Sequence, residues 1–404
     1  MRVLIVLTYY RPHTSGLTIY VERLARAMVL RGHQVTVLTS QYEKHLPAEE
    51  VVDGVRVVRA PVLFRLSKGV IMPTFGLIAN RLVWEHDVIH LHLPQFDAAG
   101  IALRGRTLRK PTVITYHCDL RMPPGILAFA ANMAVRVMNN LAALFTHRIV
   151  TYTRDYGEYS SYLTRYTRKL HVIPPPVILP KVSQADIDEF GQAHNPSKQH
   201  PVIGMSARFA TEKGVEVLLG AMPRLLEAYP NALVLFAGAY QNIMGEEQYW
   251  ERLAPTIREY EAQGSWKFLG NLDPVQMACF YPNLDVLVLP SLNSTESFGM
   301  VQIEAMLNGV PSIASNLPGV RQPVKVHEMG KIIPIGDSIA LADALLEIVG
   351  NPEAFKRDSQ PIAQRYLPDT IAMEYEKLFS ELQEELHGAG FPLTAGKHKD
   401  RSTR

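Results

Sequence analysis

From Met1 onward the chain alternates short apolar runs, rich in Val, Ile and Leu, with longer segments of helical period, and it does so in both halves. Apolar runs of about five residues bounded by turn signals read as strands buried on both faces, and their alternation with helices is the signature of doubly wound α/β domains on parallel sheets. The first series places strands near residues 2–8, 34–39, 55–60, 87–92, 112–117, 147–152 and 170–173, with helices over 17–31, 96–108 and 124–145 among them. It stops at Pro174, Pro175, Pro176 and Pro180 and a polar stretch from Lys181 to His200. A second sheet opens at Val202. A chain of 404 residues is too long for one core, so two Rossmann-like domains are expected. They span 1–176 and 201–366, with a linker over 177–200. Asp369 to Leu386 then reads as a long amphipathic helix with Ile371, Met373, Tyr375, Leu378, Phe379 and Leu382 apolar. Residues 388–404 are poor in apolar side chains and end basic, the composition of a disordered tail.

Composition excludes several classes. A formal charge of +2 over the whole chain gives no field for a nucleic-acid partner. Only Cys118 and Cys279 are present, which argues for a reducing compartment and against a disulfide framework or a cysteine-based zinc site. The apolar start, Val3 to Leu7, is too short for a secretory leader and lacks a small-residue cleavage site, so it reads as a first strand and the protein as cytoplasmic.

Two stretches carry chemistry. Val286 to Leu289 reads as a strand, Pro290 to Thr295 as the loop after it, and Met300 to Leu307 as a helix ended by Asn308, Gly309 and Pro311. Glu296 then lies on the loop and Glu304 on the helix. Between them Phe298, Gly299 and Met300 form a helix start, whose unpaired N–H groups favour a phosphate. Glu304 is placed to accept hydrogen bonds from vicinal hydroxyls such as those of a ribose. Upstream, Val202 to Ser206 reads as a strand and Val215 to Met222 as a helix, so Arg208 and Lys213 fall in a strand-to-helix connection. Ligands of parallel α/β sheets bind at that end. Two fixed cations there can neutralise a departing diphosphate. Taken singly, each stretch also reads as an ordinary solvated surface, the arginine and lysine loop more readily than the glutamate pair. Their succession on one domain points to a nucleoside diphosphate.

Arg208 with Lys213-Gly214, followed by Glu296 and Glu304 in the setting Leu289-Pro290-Ser291 and Glu296-Ser297-Phe298-Gly299, resembles the donor half of a retaining glycosyltransferase of family 4, with the two-domain GT-B fold. Leu317-Pro318-Gly319-Val320 resembles the family's later glycine loop. The first half fits too, with an apolar opening strand, a loop ending in Gly16, and Arg31-Gly32-His33 before the second strand. The resemblance covers roughly residues 1 to 385. It implies a nucleotide-sugar donor, UDP- or GDP-linked, lying against Gly16, Ser206, Arg208 and Lys213 and against Glu296, Ser297, Phe298, Gly299, Met300, Val301 and Glu304. It implies transfer to a hydroxyl of a glycan, lipid-linked or small-molecule acceptor. It also implies a last helix, about 367–387, that crosses back to the first domain. The candidate catalytic residues are His117, Arg208, Lys213 and Glu296, with His117 resembling the family's histidine beside the transferred sugar. Two departures bear on closure of the cleft: Pro174-Pro175-Pro176 stands where Pro-Asn-Gly is common, and Ser15-Gly16 where a double glycine is common.

The strand ends of the first domain carry Arg11, His13, His92 and Asp119 as acceptor-side candidates. His90 and His92 face one side of a strand, but no third ligand is near in sequence, so no metal site is expected. The triplet Asp186-Ile-Asp188 resembles the metal-holding acids of other glycosyltransferases, yet it sits on a short helix of the polar interdomain stretch and reads as surface acids. Arg208 and Lys213 supply the charge a metal would, so no divalent cofactor is expected. A double displacement needs a carboxylate nucleophile on the face opposite the leaving group. None can be assigned. The front-side route is therefore preferred, with Glu296 orienting sugar hydroxyls. Ile126 to Phe145 is apolar for a surface helix and follows the basic cluster Arg104, Arg106, Arg109 and Lys110. A membrane span would bury Arg136 at a cost of about 2.5–3.5 kcal/mol. Packing on the first sheet is expected, and peripheral contact with a membrane carrying a lipid-linked acceptor is the alternative. Three other activities fit parts of the pattern: a hydrolysing nucleotide-sugar epimerase, a non-catalytic sugar-nucleotide sensor, and a dinucleotide oxidoreductase. The last wants G-x-G-x-x-G after the first strand, and the first loop has only Gly16.

Overall fold

The computed structural model describes residues 1–66, 69–119 and 126–388. Each apolar run of the first series becomes a strand: β1 (Arg2–Val6), β2 (Gln34–Gln41), β4 (Val55–Pro61), β7 (Val88–Leu93), β8 (Thr112–Tyr116), β9 (Arg148–Thr151) and β10 (Leu170–Val172). Three further strands escaped the reading: β3 (Glu49–Val52) and the pair β5 (Phe64–Leu66) and β6 (Gly69–Ile71). β3 is Glu-Glu-Val-Val with alternate residues exposed. It pairs antiparallel with β4 as a charged edge, which no search for apolar runs detects. The sheet order is β10-β9-β8-β7-β1-β2-β4-β3. The second series gives β11 (Val202–Ser206), β12 (Leu233–Ala237), β13 (Trp266–Gly270), β14 (Val286–Leu289), β15 (Ser312–Ser315) and β16 (Gly330–Ile333). Their order is β13-β12-β11-β14-β15-β16, parallel throughout. Strand order reverses between β1 and β7 in one sheet and between β11 and β14 in the other. Crevices form beyond the carboxyl ends of strands at such points.

The first sheet is wrapped by α1 (Gly16–Leu30), α2 (Phe75–Glu85), α3 (Ala98–Thr107), α4 (Ile126–Phe145) and α5 (Arg154–Tyr159). Ser15 caps α1 by accepting the Thr18 N–H at 3.2 Å. α2 was missed although Phe75, Ala79, Leu82 and Val83 are buried on one helical face. α4 packs Ala142 and Ala143 inward and leaves Met133, Val137, Leu141 and Leu144 exposed. Residues 124 and 125 of the expected helix lie outside the described residues, as do 389–404 of the expected tail. Among the described residues no helix is long and apolar enough to cross a membrane.

The stretch 177–200 expected as a linker carries a helix, α6 (Gln184–His194), started by a capping box of Ser183 and Asp186. Its Phe190 shares a core with Cys279, Phe280 and Tyr281. Asp186 is thus a cap and Asp188 accepts from Gln184. The second sheet carries α7 (Val215–Ala228), α8 (Glu247–Ala262), α9 (Pro274–Phe280), α10 (Met300–Met306), α11 (Gln322–His327) and α12 (Ser338–Gly350), and the chain ends with α13 (Ser359–Tyr366) and α14 (Pro368–Gly388).

α14 returns to the first sheet. Its stripe Ile371, Tyr375, Leu378, Phe379 and Leu382 is buried in one core with Val3, Ile5, Val88 and Val113, while Met373, off the stripe, is half exposed. Leu289, Phe298, Ile303 and Met306 from the second sheet's side join that same core. Apolar packing therefore runs unbroken from one sheet to the other beneath the crevice.

Candidate active site

The two motifs, about eighty positions apart in sequence, meet because β11 and β14 are neighbours at the reversal of strand order. The loop after β11 lies against the loop after β14, where the Leu292 N–H donates to the Glu212 carbonyl at 2.9 Å. Gly214 makes this approach: its φ is +69°, and a Cβ there would fall on the Pro290 carbonyl oxygen. Lys213 Nζ consequently reaches Glu296 Oε2 at 2.6 Å, with the side chains 20% and 18% exposed. Glu296 Oε1 accepts the Gly299 N–H at 3.0 Å. Gly299 has φ +79°, and a Cβ would overlap Leu289 and lie 2.7 Å from Gln302 Nε2. Burial pulls the Lys213 ammonium towards neutrality, but the charge and hydrogen bond of Glu296 outweigh it and hold its pKa above the ordinary value. Burial likewise pushes Glu296 up, and Lys213 with the Phe298 and Gly299 N–H groups brings it below the ordinary carboxylate value. Both groups are charged at neutral pH. The helix-start N–H groups expected to meet a phosphate meet the Glu296 carboxylate.

Arg208 pairs with Glu212 at 2.6 Å and keeps its side chain 39% exposed. Gly16 faces this assembly from the first sheet: a Cβ on it would lie 3.7 Å from Met300 Cε. Ser297 donates its hydroxyl to the His117 carbonyl across the crevice. Phe298 is buried against Tyr152 and Tyr366, and Val301 packs at the edge of the shared core, so these residues offer backbone at the crevice. Glu304 differs from the expectation of an open acceptor. Its Oε1 accepts from Arg23 Nη2 at 2.8 Å and its Oε2 from the Tyr281 hydroxyl at 2.6 Å, beside Ser206. With Arg23 and Tyr281 in place, neither Glu304 oxygen is left without a partner.

The histidines correct the reading more strongly. The His117 ring does not project into an open cleft. Its Nε2 lies 2.8 Å from His92 Nδ1 and its Nδ1 hydrogen-bonds the Tyr152 hydroxyl, and burial lowers its pKa to about 3. A sugar contact needs one of these bonds to open. His92 is 1% exposed and is no acceptor contact. The physical reason is the strand's period of two: His90 and His92 both point to the face of β7 covered by α14, where His90 lies 4.8 Å from the Tyr375 ring. A buried polar network continues from there. Thr115 bridges His90 Nε2 at 2.7 Å and the Tyr375 hydroxyl at 2.6 Å, and Tyr375 meets the Tyr20 hydroxyl at 2.7 Å. Among the described residues no group of three His, Cys, Asp or Glu is arranged to hold a metal ion. Arg11 is tied to Glu22 of α1, and His13 stacks on Tyr9 of its own loop. Asp119 Oδ1 accepts from the Tyr116 and Ser160 hydroxyls at 2.9 and 2.7 Å.

Sequence reasoning missed the residues that tie the two sheets together. Besides Arg23 on Glu304, Arg321 grips Asp155 with Nε at 2.9 Å and Nη2 at 2.6 Å. Tyr156 donates its hydroxyl to the Ser294 carbonyl at 3.1 Å. Polar residues on helices carry no local signal of a partner so distant in sequence.

Comparison with known proteins bears on the family and the fold. Residues 14–179 match the family described as Glycosyltransferase Family 4, and residues 186–364 match Glycosyl transferases group 1. A phosphatidyl-myo-inositol mannosyltransferase of Mycobacterium leprae is 27% identical over 391 residues, covering 94% of this chain and 96% of that protein. A glycogen synthase of Mycobacterium tuberculosis is 26% identical over 395 residues, covering 91% of each. Among solved structures, Anabaena HepE in complex with UDP superposes with a TM-score of 0.73 at 20% identity, over 94% of this chain and 100% of that one. Sucrose-phosphate synthase from Thermosynechococcus elongatus gives 0.72 at 21% identity, over 95% and 99%. With one family matching each half and the same two-sheet architecture throughout, the chain belongs to the glycosyltransferases of family 4 and group 1 and has the GT-B fold.

Proposed function

We propose that this protein transfers a sugar from a UDP- or GDP-sugar to an acceptor hydroxyl with retention of anomeric configuration and without a divalent metal. The observation that carries the reading is the charged Lys213–Glu296 pair at the junction of the two loops. Glu296 there engages a cation and two backbone N–H groups, the contacts a phosphate would take. The donor's diphosphate takes over Lys213, Arg208 and these N–H groups, and Glu296 turns to hydroxyls of the sugar. The complexes of Anabaena HepE with UDP and with UDP-glucose support a nucleotide sugar as the donor. Two cations at the leaving group supply the stabilisation that a metal gives elsewhere.

In the reaction the bond from the anomeric carbon to the phosphate oxygen breaks, and its electron pair leaves with the diphosphate. The acceptor oxygen bonds to the same face, and its proton passes to the departing phosphate oxygen. Lys213 and Arg208 stabilise the charge that develops, an interaction stronger in the transition state than before it. His117 and its network hold the floor of the site through the Ser297 contact. The cytoplasmic face of a membrane, where lipid-linked acceptors lie, is compatible with the exposed apolar positions of α4.

Thermal melting with UDP, GDP and their sugars in EDTA tests the donor assignment. A ligand at a hundredfold excess over its dissociation constant adds about 2.7 kcal/mol of stability. A shift with one base is expected, and none with any nucleotide overturns the reading. Proton NMR of the product then reads the anomeric configuration, and inversion refutes the front-side route.

A further inference from the structure

Beside α4, at the carboxyl end of β8, lies a cavity of about 320 Å³ lined by Tyr116, Asp119, Arg136, Asn139, Tyr162 and Arg165 among others. We propose that it is the acceptor subsite, built for an anionic polyol: a molecule with a phosphate ester close to free hydroxyls. The assignment rests on the glycosyltransferase reading and names the acceptor class for it.

Three observations carry it. First, neither of the cavity's two arginines has a carboxylate partner among the described residues. Arg23, Arg31, Arg208 and Arg321 each pair with a carboxylate, whereas Arg136 and Arg165 make no ion pair among the described residues. Asp119 is the one acid lining the cavity, and it pairs with neither. Two unopposed guanidinium groups around one space favour a phosphate, whose oxygens accept their forked N–H donors. Second, Asn139 is only 5% exposed, yet its Oδ1 lacks a hydrogen-bond partner. A buried amide oxygen without a donor is costly. A ligand hydroxyl supplies the donor. Asp119 offers a second acceptor, since Tyr116 and Ser160 engage only its Oδ1.

Third, the cavity adjoins the donor loops. The Asp119 N–H donates to the Tyr156 hydroxyl at 2.7 Å, and that hydroxyl donates to the Ser294 carbonyl at 3.1 Å, two residues before Glu296. His117, two residues before Asp119, holds Ser297 through its carbonyl. A polyol anchored by its phosphate on Arg136 and Arg165 presents hydroxyls towards Asp119 and so towards the donor. The shared chemistry belongs equally to a soluble sugar phosphate and to a phospholipid headgroup.

Titration calorimetry of the full chain with glucose 6-phosphate, glycerol 3-phosphate, inorganic phosphate and glucose tests the soluble source. Sedimentation with phosphatidylcholine vesicles, with and without phosphatidylinositol, tests the lipid source. Binding of a phosphorylated polyol, or of phosphatidylinositol vesicles, is expected to exceed that of phosphate, glucose or plain vesicles. Arg136→Gln and Arg165→Gln should each weaken it by about tenfold or more, as loss of a charge-assisted hydrogen bond does. Both side chains are exposed, and unaltered melting curves of the ligand-free variants show that the fold is kept. Binding of neither class, or binding that both variants leave within about twofold, overturns the assignment. The nucleotide melting shift separates the two readings: polyol binding without a nucleotide shift sinks the donor reading alone, and the reverse pattern sinks this one alone.

Discussion

Replacing Lys213 by Met leaves the Glu296 carboxylate with only backbone N–H partners. Stranding one member of a fully buried ion pair costs about 3–5 kcal/mol, and an exposed pair is worth well under about 1 kcal/mol. With side-chain exposures of 20% and 18%, the pair lies nearer the buried limit, and discounting for solvent gives about 2–3 kcal/mol for Lys213→Met. Glu296→Gln should cost about 1–2 kcal/mol, because the longer lysine can swing its ammonium to water. The double variant removes both charges and should cost about 2 kcal/mol, leaving a coupling of about 2 kcal/mol. Urea unfolding followed by tryptophan fluorescence measures the cycle, since Trp250 and Trp266 both belong to the second sheet's core. The pH dependence has a definite sign. Glu296 is held below its ordinary value, so the coupling is present above the carboxylate range and disappears as pH falls through its lowered value. Lys213 is held above its ordinary 10.5, so on the alkaline side the coupling outlasts that value. Lys213→Met should also weaken nucleoside diphosphate binding more than the double variant does, since the stranded carboxylate repels phosphate. Additive single variants, with coupling under about 0.5 kcal/mol at neutral pH, would refute the pairing on which the donor site is argued.

Gly214→Ala should destabilise by about 2 kcal/mol or more, because its left-handed backbone alone costs about 1–2 kcal/mol and the methyl falls on Pro290; a melting curve like the wild type's would mean that the loops are further apart. Tyr375→Phe leaves the buried Tyr20 and Thr115 hydroxyls each short of a partner, and a loss of about 1–3 kcal/mol in urea unfolding is expected. Arg23→Ala frees Glu304 and loosens the contact between α1 and α10, so small-angle scattering of the ligand-free protein should show a larger radius of gyration; an unchanged radius means that the other bridges suffice. His117 should remain neutral between pH 5 and 8, since burial takes its pKa to about 3, and a nitrogen-15 titration midpoint near 6.5 would show the ring to be solvated.

The strands were legible wherever burial on both faces made them continuous apolar runs, and hidden where an edge, as at β3, let charge alternate with valine. Gly214 and Gly299 were legible as punctuation, but only the folded chain shows that one admits the Pro290 carbonyl and the other the Gln302 side chain. The donor motifs were placed correctly on loop and helix because capping and turn signals are local. What they touch was not legible. Glu304 reads as an open acceptor because Arg23 lies 281 positions away, and a charged helix face looks the same in sequence whether it meets water or a partner. Tyr375 reads as apolar stripe, and its hydroxyl joins a network assembled from β8, α1 and α14. α2 had a usable signal, apolar residues at helical spacing from Phe75 to Val83, hidden behind two short strands.

The last helix fixes an order of assembly during synthesis. Val3, Ile5 and Val88 leave the ribosome long before the side chains that cover them, Ile371, Tyr375 and Phe379. Throughout translation the nascent first sheet therefore has an apolar face awaiting its cover, while the second sheet can close its own face on α7 and α12 beforehand. A message truncated before the codon for Pro368 would release a chain whose donor loops are complete and whose first sheet is open. Such a product exposes apolar surface of the kind chaperones and proteases recognise, so the chain must be translated through Phe379 before the first sheet is covered.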